Sequence, residues 1–175
     1  MIVRTYQMAL EVSTEDLNIY DIIENSDLTS DLKKKLKISE LILLPASFST
    51  NHQKGDFPAE TPNLLRFMRV EHPEIEVALF ENIGEEKTQA LHSADIILPT
   101  IYHLIEVVAF PTIVYILCSY LDDKLKGDPD SDKKTVKLDI YSEYNNPKKI
   151  TRINYEGPLS GVSEIKDLVG FELKK

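Results

Sequence analysis

The sequence predicts an α/β or α+β fold on a small mixed sheet, and three observations carry that reading. Residues 41–80 read strand, loop, helix, strand. A long apolar stretch follows and reads as one helix or a broken helix pair at about 99–126. The last 41 of the 175 residues contain a cleanly alternating hairpin and a short helix. At this length the chain reads as one domain, 1–175, with enough residues to bury a real core.

The elements follow in order. Val3–Val12 loosely alternates polar and apolar residues and predicts a strand. Residues 13–30 are rich in cap and turn types, and Thr29 or Ser30 is placed to cap a short helix through Asp31–Lys37. "LILLP", Leu41–Pro45, is continuously apolar and stops at proline, the mark of a strand buried on both faces. A polar loop leads to Thr61 and Pro62, where proline opens a helix. Leu64, Leu65, Phe67 and Met68 form the apolar face of that helix, which ends at Pro73 before a strand at Ile75–Phe80. A helical crossover of this kind joins parallel strands. Residues 84–95 read as another helix.

Ile96–Leu121 spans 26 residues with only His103 and Glu106 as strongly polar side chains. A bilayer needs about 20 apolar residues in a helix, so length alone admits a membrane association. Three features oppose it. A mid-span carboxylate costs about 3 kcal/mol on insertion scales. Pro99 and Pro111 interrupt the pattern. The flanks carry Asp95, Asp122 and Asp123 rather than cationic anchors. The stretch is therefore read as core or oligomer interface. Pro99 suits a first helical turn, and Pro111 predicts a kink or a division into helices 99–110 and 111–126.

An acidic polar linker, 127–134, precedes the hairpin. There Val136, Leu138 and Ile140 share one face and Lys137, Asp139 and Tyr141 the other. Residues 145–147 turn the chain, residues 148–157 return, and a short helix follows that Ser160 could cap. A ββα piece this small cannot be stable alone, so it completes the sheet or packs on the main body.

Charge narrows the function. A net charge of −9 and a pI near 4.9 repel phosphate backbones, so no nucleic-acid partner is expected. The basic run Asp31–Lys37 reads as a solvated helix face. The single cysteine, Cys118, cannot form an internal disulfide and suits a reducing compartment. The first residues lack a continuous apolar run of the secretory type, so a cytoplasmic location is expected.

His103 and Glu106 lie three apart, which on a helix puts both on one face. Two ligands do not complete a metal site, and His92, Glu85 and Glu86 offer no defined third. The reading is a buried polar pair, with no metal. The loop after Pro45 lies beyond the carboxyl end of a strand, where open α/β sheets bind ligands. It offers Ser47, Ser49, His52 and Asp56 for nucleophile and base chemistry, and Thr50, Asn51 and Lys54 for polar binding. No nucleophile-elbow pattern surrounds either serine.

"DPDSD" at Asp128–Asp132 begins like a calcium loop, but Lys133 stands where glycine is needed. Cys118 has no basic neighbour in sequence to stabilise a thiolate. Gly157 and Gly161 mark a strand-to-helix junction, where a tight turn competes with an anion site. No dinucleotide, Walker, zinc-protease or CxxC motif is present, and no cofactor is expected.

These features favour a non-catalytic binding, regulatory or complex-forming module acting through a protein partner or a homo-oligomer, with exposed apolar area near residues 99–121. The alternative is a small hydrolase or transferase using the 47–56 loop on a polar substrate. A membrane-associated protein is the third reading.

Overall fold

Strands from both ends of the chain meet in one sheet. The computed structural model describes residues 8–45, 57–81, 88–89, 95–145 and 147–170. Strand β1 is Ala9–Glu15, and it is followed by helices α1, Ile19–Asn25, and α2, Ser30–Ile38. Next come β2, Leu41–Leu44, the short β3, Phe57–Pro58, and helix α3, Thr61–Glu71. Three further short strands are β4, Val77–Leu79, β5, Thr88–Gln89, and β6, Ile96–Ile97. Then follow β7, Thr100–Leu104, helix α4, Phe110–Leu125, and a 3-10 turn at Ser131–Lys133. The hairpin β8, Thr135–Asn145, and β9, Lys148–Pro158, leads into α5, Leu159–Gly170.

The main sheet runs β1-β9-β8-β7-β2-β4, with β6 in line with β7 beside β8; β3 and β5 form a separate parallel pair. The class is α/β with a mixed sheet. β2 and β4 pair in parallel around α3, the expected strand-helix-strand unit. The hairpin is the centre of the sheet rather than an appendage, because β8 pairs with both β6 and β7.

Side-chain alternation builds two cores, one on each face of the sheet. Leu41, Leu43, Ile101, Leu138 and Ile140 point toward α3, α4 and α5. Ile42, Leu44, Tyr102 and Tyr141 point toward α1 and α2. Each helix begins where its residue types allow. Thr29 Oγ1 accepts from Leu32 N at 3.4 Å and caps α2, as expected. The α3 helix takes Pro62 into its first turn and buries Leu64 and Met68, with Leu65 and Phe67 half-buried.

Several expectations are corrected. Residues 99–109 are not helical: they hold β7 and a turn, while α4 starts at Phe110, one residue before Pro111, which sits in its first turn and opens the helix without kinking it. Within 84–95, Thr88–Gln89 is strand rather than helix. A helix inside the stretch of cap and turn residues, α1, was not anticipated. It is capped by Asn18, whose side chain accepts from Asp21 N. No helix among the described residues is long and apolar enough to cross a membrane. At 16 residues, α4 measures about 24 Å against a hydrocarbon core of about 30 Å.

Candidate functional site

The proposed buried pair separates. β7 runs between β2 and β8, and its register sets His103 beside Leu41 on one side and Ser142 on the other. Ser142 Oγ lies 2.6 Å from His103 Nε2, and the Val108 carbonyl lies 2.8 Å from Nδ1. A carbonyl can only accept, so Nδ1 carries the proton and Nε2 accepts from the serine hydroxyl. The ring stacks on Phe110 with centroids 6.4 Å apart. Burial pushes the imidazole down to about 4, partly opposed by the Val108 carbonyl. Glu106 sits in the turn, exposed, and accepts from Asn145 N at 3.0 Å. The same-face argument failed because it assumed a helix.

This serine–histidine contact has the hydrogen-bond polarity of a nucleophile and its base. Both residues have 0% exposure, however, so no substrate meets the hydroxyl. Its physical work is to tie β7, β8 and the turn leading to α4. Ser142 continues the inward row of Val136, Leu138 and Ile140, and a polar residue at an inward position was the signal that could have found it.

The remaining candidates resolve as follows. Ser47, Ser49, Thr50, Asn51, His52, Lys54 and Asp56 lie outside the described residues, as do Glu85, Glu86 and His92. The acidic linker is an ion-paired turn. Asp128 meets Lys134 at 2.7 Å and Asp130 meets Lys133 at 2.6 Å, and Gly127 takes φ +80. The Lys134 ammonium holds the Asp128 carboxyl below its usual range. No group of metal-ligating side chains gathers among the described residues. Gly157 and Gly161 leave room for the Tyr155 hydroxyl, which donates to the Pro158 carbonyl at 2.6 Å; a Cβ at either glycine would collide with that ring. Packing therefore explains both glycines.

On the hairpin's other face, Arg152 grips Asp139 through Nε at 2.9 Å and Nη2 at 2.8 Å. Its guanidinium lies 5.6 Å from the ring centroid of Tyr141, its cross-strand neighbour. Tyr102 donates to the buried Glu143 carboxylate one diagonal step away, and burial with that carboxylate pushes the phenol upward.

The accessible chemistry lies instead between α3 and α4, which pack antiparallel. Glu60, just before α3, accepts from Tyr120 at 2.5 Å and pairs with Lys124 at 2.5 Å. Burial and that carboxylate push the Tyr120 phenol upward. Phe67 meets Tyr120 edge-on at 5.5 Å, and His72 meets Tyr115 edge-on at 6.5 Å. Over this aromatic seam Val70 is 66% exposed and Tyr115 65% exposed. An open groove of about 380 Å³ runs alongside, between Arg66 and Val70 on α3 and Asp123 and Lys124 on α4. Sequence reasoning missed Val70 and covered Tyr115 only within the exposed apolar area expected near residues 99–121, because an apolar residue on a helix does not announce whether its face is covered.

No family model, curated protein or solved structure matches this chain.

Proposed function

We propose that this chain is a non-catalytic interaction module that assembles, with a second copy or with a partner protein, through the outer face of α3 and α4. The observation that carries the reading is the joint exposure of Val70 and Tyr115 above an aromatic seam. Interface cores favour tyrosine and other aromatics, and a rigid aromatic anchor loses little entropy on docking. The seam is braced from below by the Glu60, Tyr120 and Lys124 cluster, so the face is held in shape before a partner arrives. Mixed charge around the groove, Arg66 and Lys124 beside Glu71 and Asp123, suits a polar rim.

Native mass spectrometry of the purified chain without detergent tests this, comparing wild type with a Val70→Asp, Tyr115→Ser double variant. The expected result is an assembly that the double variant dissolves. A wild-type chain that stays monomeric at every concentration and carries no partner, or an assembly that the variant leaves intact, overturns the reading.

One observation favours a small-ligand alternative at the carboxyl end of β2. Among the described residues the hydroxyls of Thr61 and Thr100 are buried without a hydrogen-bond partner, and Thr100 stands beside Leu44, where β2 ends. Buried polar atoms of this kind call for a partner. A small molecule retained in the same spectra would support that alternative.

A further inference from the structure

Strand β1 ends the main sheet, and among the described residues it pairs with β9 alone. Hydrogen bonds made by the hairpin fix which of its backbone groups are free. Leu98 N donates to Lys137 O and Ile105 N donates to Glu143 O, each at 3.0 Å, and Asn145 N donates to the Glu106 side chain at 3.0 Å. Odd-numbered residues of β8 therefore turn their backbone groups away from β9, and even-numbered ones turn theirs toward it. The β8–β9 register sets even residues opposite odd ones, and so does the β9–β1 register. Followed across both pairings, the alternation bonds Ala9, Glu11, Ser13 and Glu15 to β9. The N–H and C=O groups of Leu10, Val12 and Thr14 point outward. Solvent reaches these residues: Val12 is 38% exposed, Thr14 is exposed and Leu10 is half-buried.

Nothing in the strand itself blunts this edge. β1 pairs with β9 over all seven residues without a bulge, and it holds neither proline nor lysine, two common guards of an exposed edge. Its two faces differ. Leu10, Val12 and Thr14 share the side of Ile153 and Tyr155, where Leu10 packs on the first core. Ala9, Glu11, Ser13 and Glu15 share the other. There Glu15 accepts from Ser13 Oγ at 2.7 Å. Glu11 is exposed opposite Asn154 and has no hydrogen bond or ion pair from its side chain among the described residues. Exposed Glu156 stands opposite Ala9 on the same face. The open edge is thus apolar on one side and acidic on the other.

We propose that β1 accepts an extended segment of a partner protein whose residues alternate basic and apolar. The segment adds to the sheet as a further strand. Its backbone bonds to Leu10, Val12 and Thr14, its apolar side chains continue the row of Leu10 and Val12, and its basic side chains lie beside Glu11 and Glu15. Strand addition obtains affinity from the backbone ladder and selectivity from the side chains next to it. Charge selects this occupant over a second copy, which would bring its own two glutamates to the acidic face, where like charges on neighbouring strands repel. The edge is separate from the assembly face proposed above, which lies on α3 and α4.

Fluorescence polarisation tests it with three labelled peptides capped at both ends: Lys-Val-Lys-Val-Lys-Val-Lys, the block peptide Lys-Lys-Lys-Lys-Val-Val-Val, and Glu-Val-Glu-Val-Glu-Val-Glu. The alternating lysine peptide is expected to bind wild type about tenfold tighter than the block peptide, which carries equal charge but cannot sort it to one face. The glutamate peptide should not bind. Glu11→Lys should weaken the alternating lysine peptide about tenfold and the block peptide less. Val12→Pro removes an outward N–H that the ladder to β9 does not use, at a position where edge strands tolerate proline, and should abolish binding. Hydrogen exchange of the complex should slow at the Leu10, Val12 and Thr14 amides. No binding at about 1 mM peptide, equal affinity for the alternating and block peptides, an affinity unchanged by Glu11→Lys, or binding without slowed exchange at those amides would each overturn the proposal. Exchange there that slows with the concentration of the chain alone would put a second copy on the edge and overturn it too.

Discussion

The two halves of the apolar stretch 96–125 solve the same burial problem in different ways. The first half is strand, inserted between β2 and β8, with its backbone groups taken up by neighbours on both sides. The second half is α4, which satisfies its own backbone and lays Ile113, Val114, Leu117 and Leu121 on the sheet. One histidine is accommodated in the first half because the strand register delivers a serine to it. The lesson is that hydropathy reports burial but not conformation: a strand covered on both faces and a helix covered on most of its circumference look alike in sequence.

His103→Ala attacks the strand half and has the largest expected effect. It leaves Ser142 and the Val108 carbonyl unpaired and opens a cavity beside Phe110. A loss of about 3–5 kcal/mol is expected by urea denaturation. A loss below about 1 kcal/mol would mean that the His103–Ser142 contact does not hold β7 to β8.

Acid should produce the next effect. The imidazole ionises at an ordinary value near 6.5 in the unfolded chain but at about 4 when folded. Between those values the unfolded chain binds more protons, so stability is full above about 6.5 and is lost as pH falls toward about 4. The contribution approaches about 3 kcal/mol at its limit, and denaturation curves of wild type and His103→Ala across this window isolate it. Equal slopes for both proteins would remove His103 as the cause.

Pro111→Ala probes the helix half and is the smallest. A first-turn proline removes no helical hydrogen bond, so the thermal midpoint should correspond to a change within about 1 kcal/mol. A gain near 3 kcal/mol would instead place the proline inside a helix that continues backward into residues 99–109.

Legibility follows the same division. β2 was readable because four apolar residues end at a proline, α2 because Thr29 precedes its first turn, and the hairpin because its period is two. The alternation of β8 was correct, yet its expected polar face is largely enclosed: Tyr141 joins the second core and Asp139 is held by Arg152. The Ser142–His103 contact joins residues 39 apart, and no local pattern encodes a pairing that only sheet register creates. The α3–α4 face was foreseen only as exposed apolar area near 99–121. Tyr115 falls inside that range, and Val70 lies outside it.

The sheet also orders events in time. Among the described residues β1 bonds only to β9, and Ala9 finds its partner in Glu156. A ribosome makes that first strand long before its neighbour exists, and β7 likewise waits for β8 to be translated. A nascent chain of this protein must therefore carry unpaired strand edges until residues 148–158 emerge, which makes the closing of its sheet late and non-local.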